Sequence, residues 1–280
     1  MSASPPPARV HILLAREAPV GLVIRRGPTK RVATLLWDRE RDEFTLGQWL
    51  KGRIYERRSD LSPDGRYWIY FAMNGDWAGE SRGSWTAVAP APWLKAIAFY
   101  PKGDCWNGGG LWTTDRTYWV NDPPECSAPL GDALDAVRES TEVARDEKHE
   151  VDQRFGNECL SVYLPRLLRD GWRRGVDRTR PFDTLEKPLP HGWILRKFLH
   201  AGPPGVRHGC YWDEHAIVHE PSSRLTSKRD WEWAEVDRDR VVWCADGRLY
   251  AGSITPDGLA DERELHDFNP LEFEAIPAPY

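Results

Sequence analysis

Fifteen tryptophans are spread along 280 residues, and few architectures house that many indoles. Each ring buries on the order of 200 Å² and asks for a hydrogen-bond partner for its N–H. Alongside 23 Gly, 23 Pro and only two Met, this points to rigid strands joined by tight turns and away from a helical bundle. The chain is long enough to bury a sizeable core, as one large domain or two small ones. Its 40% hydrophobic and 29% charged content excludes a disordered polypeptide. No apolar run reaches the roughly 18 residues that cross a bilayer as a helix.

Short apolar runs punctuated by turn signals follow a Ser/Pro-rich tail over 1–8. HILLA, VGLVI and RVATLLW read as strands, the last closed by the charged turn DRERDE. In LSPDGRYWIYFAMNG, the turn at Pro63, Asp64 and Gly65 launches an apolar aromatic strand from Tyr67 to Met73. A Trp-led pattern then recurs. WTAV at Trp85 precedes WLKAIAFYPKG and GGGLWTT, and WEWAEV at Trp231 precedes RVVWCADG and RLYAGSI. A looser copy starts at Trp193 with WILRKFL and reaches GCYWDEHAIVHE, read as a hairpin turned at Asp213 and Glu214. Trp193 and Trp231 stand 38 positions apart, near the roughly forty-residue period of a four-stranded propeller blade.

The SPDGRY turn at 62–67 and these Trp-led repeats resemble the WD-repeat and related bacterial β-propellers. The resemblance implies a propeller-like fold and no particular activity. The chain departs from the WD pattern, with no Gly-His opening and with Trp-Asp only at Trp37-Asp38 and Trp212-Asp213. The stretch from Gly83 to Trp112 also resembles an uncharacterised bacterial family.

The middle of the chain breaks the β pattern. Leu130, Leu134, Val137 and Thr141 recur at helical spacing between Pro129 and Lys148. In NECLSVYLPRLLRDGW, Leu160, Tyr163, Leu164, Leu167 and Leu168 share a helical register interrupted by Pro165. Either a helix kinks there, or a short one starts at Pro165 and stops at Gly171. The expected organisation is a tail at 1–8, β repeats over 9–127, a helical insertion over 128–171, and β repeats over 172–280 completing the same domain.

No GxSxG elbow, local Cys/His protease motif or phosphate-binding glycine loop is present. Gly108 to Gly110 reads as a turn permitting close approach of strands. Five of eight His fall between 191 and 219, but His215 and His219, four apart on a strand, stand about 13 Å from each other and do not share an ion directly. No metal and no cofactor is expected. Five well-separated cysteines read as reduced thiols. With no basic segment leading into a long apolar one near residue 1, a cytoplasmic location is expected.

Two constellations are candidates for binding. Asp104, Trp106, Asn107, Trp112, Tyr118 and Trp119 set flat apolar faces beside short polar groups, as a sugar, peptide or protein hot spot requires. The same rings can instead pack the core. Arg166, Arg169, Arg173, Arg174, Arg178 and Arg180 form the densest basic cluster, able to hold phosphate, RNA or an acidic protein surface, or to pair with the carboxylates of 139–152. Thirty Arg and eight Lys against 43 carboxylates leave a net charge of −5, so neither nucleic acid nor membrane is an expected partner.

The expectation is therefore a mainly β, antiparallel, propeller-like protein with irregular blades and a central helical insertion. Its expected role is a non-catalytic cytoplasmic module binding a protein partner through an aromatic surface or the insertion. A hydrolase of carbohydrate or phosphate esters and a lectin-like glycan binder are the alternatives.

Overall fold

The computed structural model describes residues 6–27, 30–122, 140–149, 160–175, 183–203 and 209–280. The protein is mainly β, and successive sheets are laid down in chain order. The first contains β1 (Arg9–Leu14), β2 (Val20–Arg26), β3 (Arg31–Asp38) and β4 (Glu43–Lys51). The second contains β5 (Arg53–Ile54), β6 (Asp60–Leu61), β7 (Tyr67–Met73), β8 (Ser84–Pro90) and β9 (Ala98–Pro101). The third contains β10 (Gly110–Trp112), β11 (Thr117–Val120) and the two-residue β12 (Ala144–Arg145), which pairs in parallel with β11. After helix α1 (Leu160–Arg169) come β13 (Arg173–Arg174), β14 (Asp183–Pro188), β15 (Trp193–Ala201), β16 (Tyr211–His219) and β17 (Arg224–Lys228). The last sheet is β18 (Trp233–Asp237), β19 (Arg240–Ala245), β20 (Arg248–Thr255) and β21 (Gly258–Asp267).

The chain divides into two compact units. The larger comprises Ile12–Leu167 and Glu272–Tyr280, and the smaller comprises the segment up to His11 together with Leu168–Leu271.

In the larger unit, β7 is the middle of a stack. Trp68, Tyr70 and Ala72 point one way, into a cluster with Leu22, Ile24 and Val32 of the first sheet. Tyr67 and Ile69 point the other way, among Tyr100, Trp112, Tyr118 and Val120. Covered on both faces, the strand has no polar alternation, which is why YWIYFAM is a continuous apolar run. The Trp68 N–H donates to the Trp93 carbonyl at 2.8 Å and the Tyr70 hydroxyl to the Leu94 carbonyl at 2.8 Å. Burial pushes the Tyr70 phenol above its ordinary pKa range. The segment Glu272–Tyr280 lies on the same unit, where Gln48 donates to the Ile276 carbonyl at 2.9 Å.

In the smaller unit, a two-residue turn at Asp246–Gly247 joins β19 to β20, with Ala245 opposite Arg248. Both turn residues have positive φ, 49° and 76°, the type I′ geometry that Asp-Gly favours. Asn269 anchors the turn, its amide donating to the Asp246 carbonyl at 2.9 Å while its Oδ1 accepts from the Ala8 N–H at 2.8 Å. Trp231, Trp243 and Tyr250 stack in sequence, with centroids 4.6 and 5.8 Å apart.

One expectation changes, and one open alternative is decided. GCYWDEHAIVHE is not a hairpin: Tyr211–His219 is one strand, paired along its length with β15 and continuous through Asp213 and Glu214. The second helical segment runs from Leu160 to Arg169 with Pro165 inside it, so the Ser161 carbonyl loses its helical donor. Of the first helical segment, residues 123–139 lie outside the described residues; within 140–149, Ala144–Arg145 is extended. Cys126, Cys159, Arg178 and Arg180 also lie outside the described residues.

Asp267 yields a pH test. Partial burial pulls its carboxyl upward, but the Asn269 backbone N–H, Arg248 and the Asn269 amide outweigh it, and its pKa lies below the ordinary 3.8. A folded value below the unfolded one adds stability above the unfolded pKa of about 3.9, and that stability is lost as pH falls through the folded value. Asp267→Asn is therefore expected to unfold at lower urea than wild type at pH 7, with the gap narrowing below pH about 4.

Candidate functional site

The loop after β9 is built from its buried end outward. Lys102, almost fully buried, donates to Asp122 at 2.7 Å, with Asp104 at 3.7 Å. Arg58, buried at the end of the short 3-10 turn Glu56–Arg58, donates to the Cys105 carbonyl at 2.8 Å and to the Asn107 carbonyl. Its guanidinium lies 5.0 Å over both Tyr55 and Phe71. The glycines let the loop reach this anchor: a Cβ on Gly109 would lie 1.7 Å from the Arg58 carbonyl oxygen, and its φ is +75°. Gly109 donates to Thr86 Oγ1 at 2.8 Å. The loop is thereby fixed by two buried cations and a backbone contact only glycine permits.

What this frame presents is Trp106, 57% exposed. Its backbone N–H donates to Asp104 Oδ1 at 2.8 Å. Against it lies the β7–β8 loop. At the first residue of β8, Lys102 donates through its backbone to the Ser84 carbonyl at 2.8 Å, and in the loop itself Arg82 faces Gly103 with a would-be Cβ contact of 3.6 Å. That neighbouring loop carries Trp77, 54% exposed, whose ring covers Gly83. Both indoles thus emerge from the same end of the second sheet, on loops braced against each other.

Of the remaining aromatic candidates, Trp112 and Tyr118 point inward, while Trp119 is half-buried, its ring 5.7 Å from that of His149. Trp112 and Tyr118 are buried with rings 5.4 Å apart. The Tyr118 hydroxyl shares a 2.8 Å hydrogen bond with that of Tyr100, and the Trp112 backbone N–H donates to Asp60 at 2.8 Å. Asn107 is buried and forms part of the Arg58 anchor.

The arginine cluster is not one surface. Arg166 is buried and donates to the Glu56 carbonyl at 3.1 Å and to the Ser59 carbonyl. Arg169 pairs with Asp170 at 2.9 Å. Arg173 and Arg174 are exposed on β13, opposite Glu186 and Leu185.

In the smaller unit, a buried ionic network spans β14 to β18. Lys197 is 1% exposed and donates from Nζ to His215 Nε2 at 3.1 Å. An Nε2 that accepts leaves Nδ1 as the donor to the Trp231 carbonyl, 3.0 Å away, so this imidazole is neutral. The Lys197 ammonium lies 4.9 Å over the Trp172 ring and 3.9 Å from Asp213. Trp172 donates to Glu235 at 2.8 Å, and Lys187 reaches the other oxygen of that carboxylate at 2.6 Å. Among the described residues, two ammoniums and two carboxylates meet here, the kind of pairing a buried charge needs to persist. Among the described residues no cluster of His, Cys, Asp and Glu fits a metal ion.

Trp77, Arg58 and Lys197 were not singled out in the sequence. Trp77 stands in a short polar turn, Arg58 in a run of charged residues, and Lys197 inside the apolar run WILRKFL. No protein-family model matches the chain, and no curated protein matches its sequence.

Two substitutions test this construction. Gly109→Ala is expected to lower stability by about 2 kcal/mol or more, the left-handed conformation alone costing ~1–2 kcal/mol before the clash. Lys197→Ala, which strands its buried partners, is expected to cost about 3–5 kcal/mol. Urea denaturation measures both, and a loss under about 0.5 kcal/mol would refute the assigned role in either case.

Proposed function

We propose that this protein is a non-catalytic binding module that engages a protein partner through the paired loops bearing Trp77 and Trp106. One observation carries the reading: two large indoles, each more than half exposed, stand on adjoining loops, that of Trp106 held in place by the buried Arg58 and Lys102. An exposed indole on a fixed frame costs little conformational entropy on docking and fills an apolar pocket of a partner. Arg82 on the same rim adds a forked donor for a carboxylate or carbonyl.

The finer architecture belongs to the same proposal. The sheets are taken as irregular propeller-like blades because each keeps its strands in chain order and is mostly an antiparallel meander. The segment 128–171 is taken as a helical insertion, supported over Leu160–Arg169. A cytoplasmic location is proposed because Cys105, Cys210 and Cys244 carry no disulfide. Among the described residues no helix is long and apolar enough to cross a membrane.

The test is a quantitative affinity capture from native lysate with wild type and the double variant Trp77→Ala/Trp106→Ala. A stoichiometric protein retained by wild type and weakened at least tenfold by the double variant, with thermal stability within about 0.5 kcal/mol, is expected. Capture unchanged by the variant, or glycan-array binding that the variant abolishes, would overturn the proposal.

A further inference from the structure

An open cleft of about 110 Å³ lies within the smaller unit, between β17 and the β20–β21 hairpin. Apolar residues lie beneath it, but the surface it presents is mostly polar. Trp193 and Ile217 are both nearly inaccessible, and Leu259 closes one side. The walls carry opposite charges. Residues Arg224, Thr226 and Lys228 alternate along β17 onto the face that carries His219, Ile217 and His215, to which they are paired. Arg224 and Lys228 therefore both line the cleft, and Asp257 and Glu262 line it from the hairpin side.

These four charges do not neutralise one another. Arg224 donates to the backbone carbonyl of Asp257 at 3.3 Å, and its guanidinium lies 5.7 Å over Trp193. The Lys228 ammonium lies 5.0 Å over the Trp231 ring. Among the described residues, no ion pair or side-chain hydrogen bond engages the Asp257 or Glu262 carboxylate, and neither cation is paired with an acid. Cationic and anionic side chains thus line one cleft, with Arg224 reaching over the buried Trp193 ring to the Asp257 backbone.

The frame is rigid. β17 pairs with β16 over five consecutive positions. The hairpin turn is closed by Thr255 Oγ1 donating to the Gly258 carbonyl at 3.0 Å, and the Trp193 indole N–H donates to the Pro256 carbonyl at 3.3 Å. The floor residue itself therefore positions the turn that carries Asp257. Gly258 lies close against Trp193, with a would-be Cβ 3.4 Å from the ring.

We propose that this cleft binds a small zwitterion of the free α-amino acid class, its carboxylate on the Arg224–Lys228 wall and its ammonium on the Asp257–Glu262 wall. An aliphatic side chain lies against the half-buried Leu259. A simple anion satisfies one wall and meets uncompensated carboxylates on the other, and a simple amine has the converse fault. Only a molecule with both charges answers both walls. At about 110 Å³ the space is well under the roughly 300–1,000 Å³ of drug-sized and cofactor pockets, which excludes a nucleotide. This inference is independent of the Trp77–Trp106 surface, which belongs to the other unit.

Isothermal titration calorimetry on the full chain tests it with three probes: L-leucine, 4-methylpentanoate, which lacks the ammonium, and 3-methylbutylamine, which lacks the carboxylate. Saturable binding of leucine is expected, weakened at least tenfold for each single-charge analogue. Glu262→Gln, at an exposed position, and Lys228→Met, at a half-buried one, are each expected to weaken leucine at least tenfold while the protein stays folded. No saturable leucine binding at millimolar concentration, or 4-methylpentanoate binding as tightly as leucine, would overturn the proposal. So would leucine binding that neither variant alters.

Discussion

The larger unit depends on one strand being buried from both sides. β7 contributes alternate residues to two separate cores, so the first and third sheets are held through it. The arrangement is possible because the polar ends of its large rings find backbone carbonyls at the rim, Trp93 for Trp68 and Leu94 for Tyr70. A buried indole or phenol without such a partner would forfeit much of what its apolar area contributes. Part of the tryptophan content is thus explained by geometry: wide rings fill the interval between layers, and the N–H of Trp68 fastens the loop that borders it.

Much of this was legible because strand signals are local. The apolar run from Tyr67 to Met73 and the Asp-Gly pairs at turns specify strands and reversals within a few residues. The single strand through Asp213 and Glu214 was misread for an equally physical reason. Two adjacent carboxylates resemble a turn in sequence, but here Asp213 is drawn inward beside Lys197, a contact made across strands. Pro165 was ambiguous because a helix tolerates the missing N–H when the surrounding residues stay packed, as Val162, Tyr163 and Leu167 are.

The candidate site was legible in part. The loop from Asp104 to Tyr118 was marked by its aromatic and polar content, yet the choice between interior and surface is made by long-range contacts. Asn107 is drawn in by Arg58, forty-nine positions earlier in the chain, and Trp112 is drawn in by Asp60, fifty-two positions earlier. Trp106 is left outside. The same logic divides the arginines, since one helical face turns Arg166 toward the carbonyls of Glu56 and Ser59 while Arg169 meets its own neighbour. Residue spacing alone contains none of these assignments.

The buried Lys197–His215 pair also bears on strand alignment. The two residues stand directly opposite each other on β15 and β16. Sliding one strand past the other by a single position would turn one of them to the opposite face of the sheet. An ammonium would then sit among Ile194, Phe198, Ala216 and Val218, which offer it no acceptor side chain. Apolar contacts tolerate small misalignments, whereas an unshared buried cation does not. The pair therefore acts as a registration key, excluding mispaired versions of the ribbon that hydrophobicity alone would scarcely distinguish from the native one.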